Sequence, residues 1–200
     1  MTTSWYSPSE LADLGFASFG QGLRISRFAR IYGPDRITIG DHVRIDDFSI
    51  LSAAEPMRIG RNVHIAAFCG LFGAAGLELG DFSGLSSRVS IYTVSEDYSG
   101  ASLTNPTVPE AFRTVEAAPI RLGRHAIVGA GAVILPGASL GDGAAVGSLS
   151  LVSRPIPAWS IAVGVPARVV KERRRDLLER ERVYLAGDGQ TRRPGDELAA

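Results

Sequence analysis

The sequence predicts an all-β fold, a parallel β-helix of about seven coils, and three observations predict it. Ile39-Gly40, Ile59-Gly60 and Leu79-Gly80 recur every 20 residues, with Phe19-Gly20 opening the series. Within each repeat an aliphatic residue returns every six positions: Ile25, Ile45, Ile65 and Leu85, then Ile31, Leu51, Leu71 and Ile91, then Ile37, Met57 and Leu77. Positions four residues after an aliphatic one are small or β-branched, as in Ala29, Ser49, Cys69 and Val89, or Val43, Val63 and Ser83. Alternate residues of a strand share a face, so a period of six with inward aliphatics describes a three-sided prism of stacked coils. An apolar helix stripe needs spacings of three and four, which these runs lack.

Each early coil is three hexapeptides plus two residues at one corner, in YGPDRITIG, SAAEPMRIG and GAAGLELG. The pattern resumes at Leu122-Gly123, Val128, Ile134, Leu140-Gly141, Val146 and Val152 without that insertion, so the prism spans residues 19–170. Residues 1–18 form a capping segment. Ser7-Pro8-Ser9-Glu10 is a capping box with proline at the first helical position, and it predicts a short helix to about Leu14 over the open end. Residues 171–185 are rich in Arg, Glu and Leu and predict a solvated C-terminal helix, followed by a disordered polar tail over 186–200. Between Val94 and Ala117 the period is lost. A stretch this long without repeat structure, carrying prolines and aromatics, predicts a projecting functional loop.

Composition narrows the partners. The 21 basic and 21 acidic residues cancel, which argues against electrostatic capture by nucleic acid or a membrane surface. No stretch is long and apolar enough for a membrane span, and MTTSWYSPSE lacks the features of a signal peptide. The single cysteine, Cys69, falls in an inward column and is core packing; its isolation fits a reducing, cytoplasmic setting.

The segments IGDHVRID, IGRNVHIA and LGDFSGLS, and above all LGRHAIVGAGAVILPGASLGDGAAVGSLSLVSRPIP followed by AVGVPARVVKER, resemble the hexapeptide-repeat (isoleucine-patch) acyltransferase family. The resemblance covers about three quarters of the chain. It is strongest to acetyltransferases of surface-polysaccharide biosynthesis. It implies a left-handed winding, a homotrimer with sites between subunits, acetyl-CoA as donor and a sugar or sugar-nucleotide as acceptor. GVPARVVK matches the family's coenzyme A motif. Arg168 and Lys171 are the expected cations for the cofactor's phosphates, and Gly129, Ala130, Gly147 and Ser148 the small residues along which the pantetheine arm lies.

Acyl transfer to an alcohol needs a base, whereas an amine acceptor needs less help. His42 and His125 share a turn position three residues after a coil's opening aliphatic, where a solvated turn residue is the simplest reading; His125 lies nearer the expected cofactor groove. His64 precedes Ile65 and projects outward in the column of Arg24 and Arg44, where a histidine can serve as base. The family's loop histidine is absent, and Ser95-Glu96-Asp97 stands there instead. Three readings follow: Glu96 or Asp97 is the base, His64 is, or the acceptor is an amine. Arg44, Asp46, Asp47, Tyr92 and Tyr98 are candidates for binding the acceptor. No metal is expected, because His42 and His125 fall about three coils apart, roughly 14 Å at the strand spacing. The competing expectation is a catalytically silent scaffold on the same prism.

Overall fold

The computed structural model describes residues 4–187. The chain is a left-handed parallel β-helix with three faces. The first face stacks strands Ser18–Phe19, Ile37–Ile39, Met57–Ile59, Leu77–Leu79 and Ile120–Leu122, continued by bridges through Leu140 and Ile156. The second stacks Arg24–Ile25, Arg44–Ile45, His64–Ile65, Gly84–Leu85, Ile127–Val128, Ala145–Val146 and Ser160–Gly164. The third stacks Arg30–Tyr32, Ile50–Ala53, Gly70–Gly73, Ser90–Tyr92, Val133–Ile134 and Leu151–Val152.

The expected columns are the observed register. Ile25, Ile45, Ile65, Leu85, Val128 and Val146 stand one above another on the second face, all buried. Leu51, Leu71, Ile91, Ile134 and Val152 do the same on the third. Each such side chain contributes about 1.5–3 kcal/mol of transfer free energy, and only against the coils above and below it. At the first corner the chain turns through the left-handed region at His42, Asn62, Phe82 and His125, with φ between 56° and 58°. Non-glycine residues there cost about 1–2 kcal/mol each, offset by a ladder of amides in which His42, Asn62, Phe82 and His125 donate to Gln21, Asp41, Arg61 and Asp81 one coil earlier.

Both ends of the second face are covered. At the start, Trp5 bridges Ser26 in antiparallel sense, and the amides of Tyr6 and Arg27 donate to the carbonyls of Ile25 and Ser4. Helix α1 (Pro8–Asp13) has its capping box: the Glu10 amide donates to the Ser7 hydroxyl, and the Ser7 amide donates to the Glu10 carboxylate. Leu11 of α1 packs into the core. Two guanidinium bonds from Arg27, at 2.7 and 2.6 Å, add to the Ser7 contacts and hold the Glu10 carboxyl at about 2 instead of 4.5. A depressed carboxyl stabilises the fold above its unfolded value and ceases to do so as pH falls through its folded one. The Tyr6 and Arg27 amides should therefore lose hydrogen-exchange protection between about pH 4.5 and 2. Glu10→Gln should remove that transition; an unchanged profile would detach the cap from this ion pair.

The other end corrects the expectation of a helix over 171–185. Ala167–Glu172 is a strand, antiparallel to Ser160–Gly164, and it closes the last open edge of the second face. The helix, α2, runs from Leu177 to Ala186. Charge content pointed to a helix from residue 171, but Lys171 and Glu172 prolong a strand in which Val169 and Val170 suit the extended form and which fills an unpaired edge. Nor is α2 merely solvated. Tyr184 accepts from Asn62 Nδ2 at 3.0 Å and packs edge-on to Phe82, Glu181 is buried against Arg124 and His125, and Arg173 donates to the carbonyls of His125 and Gly143. His125 is accordingly a buried docking residue, stacked on Phe82 at 5.2 Å, and the solvated-turn reading fails for it. Most of the polar tail, from residue 188 onward, lies outside the described residues.

The loop over 94–117 is an ordered arm. Val94–Glu96 and Val115–Ala117 pair antiparallel, and a short 3-10 turn at Glu110–Phe112 folds the tip back. Thr93, fully buried, fastens the arm's base: its hydroxyl donates to the Phe72 carbonyl and accepts from the Ala75 amide.

Candidate active site

The outward residues of the second face form one column, Arg24, Arg44, His64, Gly84, Ile127 and Ala145, in register across successive coils. Beside it, at the second corner, the pairs Asp46-Asp47, Ala66-Ala67, Ser86-Ser87, Gly129-Ala130 and Gly147-Ser148 also stack. Their coils are joined by amide bonds such as Ala66 to Leu85, Ser86 to Val128 and Gly129 to Val146. The prism thus places the expected acceptor residues Arg44, Asp46 and Asp47 low on a track, His64 in the middle and the small residues expected on the donor side above.

His64 and Asp46, 18 residues apart, meet across one coil, with Nε2 and Oδ2 separated by 2.8 Å. An ionised carboxylate can only accept, so Nε2 carries the proton and Nδ1 is the basic nitrogen. Burial works to raise the Asp46 carboxyl, but hydrogen bonds from Arg44 Nε (2.6 Å) and His64 hold it below the usual carboxylate range. Arg44 in turn lies over the Trp5 ring at 5.4 Å, with Arg24 at 5.1 Å. Asp47 accepts from the Ser26 hydroxyl. The track therefore carries an oriented imidazole whose partner stays ionised.

Directly above His64 is a hollow of about 280 Å³ bounded by His64, Gly84, Ser86, Ser87 and Ile127. Ser86 and Ser87 were missed by sequence reasoning. The available signal was positional, two hydroxyls in the corner column between the Asp46-Asp47 and Gly129-Ala130 pairs. A larger hollow, about 350 Å³, lies on the first face among Glu55, Arg58, Glu78 and Arg121, but it holds no histidine and Arg121 pairs with Glu78.

The upper track ends at the hairpin, where Arg168 pairs with Val163 and Lys171 with Ile161, both cations exposed. The small residues there have a structural cause of their own. A Cβ on Gly129 would meet the Ser148 amide at 2.4 Å, and one on Gly147 would meet Val163 Cγ1 at 2.7 Å. These two glycines are required by the coil above them, so their smallness by itself does not indicate a cofactor.

The arm's carboxylates are not gathered with His64, since the arm leaves the third face and returns to the first. Glu96 pairs with Arg113 at 3.0 Å. Asp97 accepts from Ser99 and from the amide and hydroxyl of Ser102, bonds that hold its carboxyl at about 2. Tyr98 is 93% exposed at the arm's surface, and Tyr92 stacks on Phe72 at 5.0 Å on the third face. Among the described residues no group of three or more His, Cys, Asp or Glu side chains is placed to hold a metal ion.

A left-handed parallel β-helix of stacked hexapeptide coils is shared with an acyltransferase solved with coenzyme A. No protein-family profile matches the chain. It is 40% identical over 176 residues, 88% of this chain and 92% of the other, to the dTDP-4-amino-4,6-dideoxy-D-glucose acyltransferase of Escherichia coli. The structure matches that of a serine-to-cysteine mutant of AntD, an N-acyltransferase from Bacillus cereus solved with dTDP-4-amino-4,6-dideoxyglucose and coenzyme A. Its TM-score is 0.90 at 41% identity, over 94% of this chain and all of AntD. The hexapeptide-repeat acetyltransferase VCA0836 of Vibrio cholerae shares the fold at TM-score 0.56 and 20% identity, over 84% of this chain and 80% of that one. The chain belongs to the hexapeptide-repeat sugar acyltransferases, and it is an enzyme with acyl-CoA as donor.

Proposed function

We propose that this enzyme transfers an acyl group from acyl-CoA to the amino group of a dTDP-linked amino-dideoxy sugar, as a cytoplasmic homotrimer with its sites between subunits. The observation that carries this reading is the vertical order of the second-face track, with the oriented His64 between acceptor residues and a basic donor end, in a chain matched almost end to end by enzymes of that activity. The amine attacks the thioester carbonyl, forming the C–N bond as the C–S bond breaks. Its proton passes to His64 Nδ1 and from there to the departing thiolate, so the proton count closes without a metal.

Asp97, with its carboxyl at about 2, is an anion throughout the working range and a poor base. Its role in this scheme, from a neighbouring subunit's arm, is to attract the aminosugar's ammonium, which gives up one proton to solvent before the neutral amine attacks. AntD was varied at a serine and an aspartate ten positions apart, the spacing of Ser87 and Asp97 here. Glu96, engaged by Arg113, keeps the arm's shape. Tyr92, Tyr98 and Asp47 are left to contact sugar hydroxyls or the nucleotide.

Support for the trimer comes from the second corner, where Phe28 packs tilted against Phe48 at 5.7 Å and Phe48 stacks on Phe68 at 5.2 Å while each stays more than half exposed, with Arg88 over Phe68 and Leu149 75% exposed above them. An apolar ridge of this length is the kind of surface that a second copy covers. It adjoins the track, so a subunit seated on it would border the site.

The test is release of free coenzyme A from acetyl-CoA with dTDP-4-amino-4,6-dideoxyglucose as acceptor, alongside mass in solution. Amide product and a mass of three chains are expected; a monomer with full activity would remove the intersubunit site. Arg168→Ala with Lys171→Ala should raise KM for acyl-CoA roughly tenfold or more while leaving kcat within about threefold, since each charge-assisted bond to phosphate is worth about 1.5–3 kcal/mol. Unchanged donor kinetics would take the phosphates elsewhere.

A further inference from the structure

Gly84 differs from the other glycines of the described coils. Glycine weakens a strand unless something requires it. Gly22, Gly33, Gly76, Gly131, Gly137, Gly143 and Gly164 have positive φ. Gly20, Gly40, Gly60, Gly80, Gly123, Gly129 and Gly141 stand so close to the next coil's corner that a Cβ would meet it at under 3.0 Å. At Gly70 a Cβ would strike the Phe72 ring, at Gly147 Val163, and at Gly73 the Met57 methyl. Gly84 has no positive φ, and a Cβ added there meets no atom within 4 Å. The chain itself gives no reason for glycine at this position. The remaining physical reason is close approach by something bound.

The surroundings say what. Gly84 interrupts the outward column between His64 and Ile127, its register neighbours below and above. The missing side chain opens the hollow of about 280 Å³ whose other walls include the Ser86 and Ser87 corner. Ile127 is 44% exposed, an apolar wall on the donor side, while the His64–Asp46 pair stands on the acceptor side. A thioester carbonyl that meets an amine beside His64 must lay its acyl chain next to the face it rests on. Along this face the open place between the base and Ile127 is Gly84.

We propose that Gly84 is the residue that sets the size of the acyl group, its absent side chain seating acyl chains longer than acetyl against Ile127. This rests on the second face being the transfer site. Gly84 is a specificity-determining position and takes no part in the proton transfers. Because its backbone is ordinary and the space around it empty, alanine and valine are accommodated by the fold, and valine suits a strand better than glycine does.

The experiment compares wild type, Gly84→Ala and Gly84→Val with acetyl-CoA, butyryl-CoA and 3-hydroxybutyryl-CoA. Three readouts are taken: kcat/KM with dTDP-4-amino-4,6-dideoxyglucose, binding of each thioester by calorimetry without acceptor, and mass in solution. The wild type should use the four-carbon thioesters. Gly84→Val should lower their kcat/KM by roughly 10–200-fold, the range for misfitting alkyl groups in an apolar pocket, with acetyl-CoA changed less than about threefold and Gly84→Ala between the two. Calorimetry should show the same order in affinity. An equal loss for all three thioesters, no loss for any, or a broken trimer would overturn the proposal, the last by placing a neighbour's backbone in the notch. If the wild type transfers nothing to the dTDP-sugar, the acceptor reading fails by itself. The notch is then judged on calorimetry alone, where unranked affinities overturn it and a selective four-carbon loss upholds it.

Discussion

Replacing His64 with glutamine is expected to lower kcat by roughly 10²–10⁴-fold, the usual worth of a positioned general base, with acyl-CoA affinity unchanged. Glutamine can keep the hydrogen bond to Asp46 but has no basic nitrogen, so orientation survives and proton transfer does not. Asp46→Asn should cost less, roughly tenfold to a hundredfold in kcat. The asparagine cannot hold Nε2 protonated with the same strength, and Arg44, 2.6 Å away, would lose its ionic partner. Both variants should fold, since the His64 side chain is 49% exposed and the inward column beneath it is untouched. A His64→Gln enzyme with wild-type kcat would show that the amine needs no base from this face, and would move attention to how the acceptor arrives unprotonated.

The second large effect concerns the arm. Exchanging residues 96–115 for an Asn-Gly turn joins Ser95 to Glu116, which already face each other in the hairpin, through a loop whose twist suits that pairing. Transfer should fall by more than about 10³-fold, because an oriented acceptor is worth several powers of ten in effective concentration. Acyl-CoA binding and the melting temperature should be nearly unchanged. The exchange is structurally mild because Thr93, which fastens the arm's base to Phe72 and Ala75, is kept, and the arm's own bonds, Glu96 to Arg113 and Asp97 to Ser99 and Ser102, lie within the removed segment. Full activity without the arm would confine the site to a single second face, whereas loss of the trimer would make the arm an assembly element.

The prism was legible from the residues because its causes are local and repeated. A period of six with alternating burial leaves one way to hide the Ile25, Ile45, Ile65 and Leu85 column. The Ser7–Glu10 capping box was equally local, four residues long and realised as predicted. Outward columns follow from the same arithmetic, so His64 was correctly set above Arg24 and Arg44.

What sequence reasoning missed depends on partners far away in the chain. The start of α2 was misplaced because Lys171 and Glu172 pair with the open edge at Ser160–Gly164, which composition does not display. His125 and His42 are the same turn residue by spacing, yet only His125 is buried, because Glu181 and Arg173 arrive from the C-terminal segment. The arm looked like lost periodicity because its antiparallel pairing lies within a segment that no longer obeys the coil rule.

By itself, then, the sequence determined the number of coils, the three faces, the buried columns and the side on which each outward residue stands, since backbone alternation and stacking distance are the same in every coil. Only the tertiary structure decided which of those outward residues act together. Asp46 meets His64 because neighbouring coils bring residues 18 apart within a hydrogen bond. Gly129 and Gly84 are identical as letters, but the first is pressed by the coil above it and the second faces open space. Contact and vacancy are properties of neighbours in space, and a hexapeptide pattern records only neighbours in sequence.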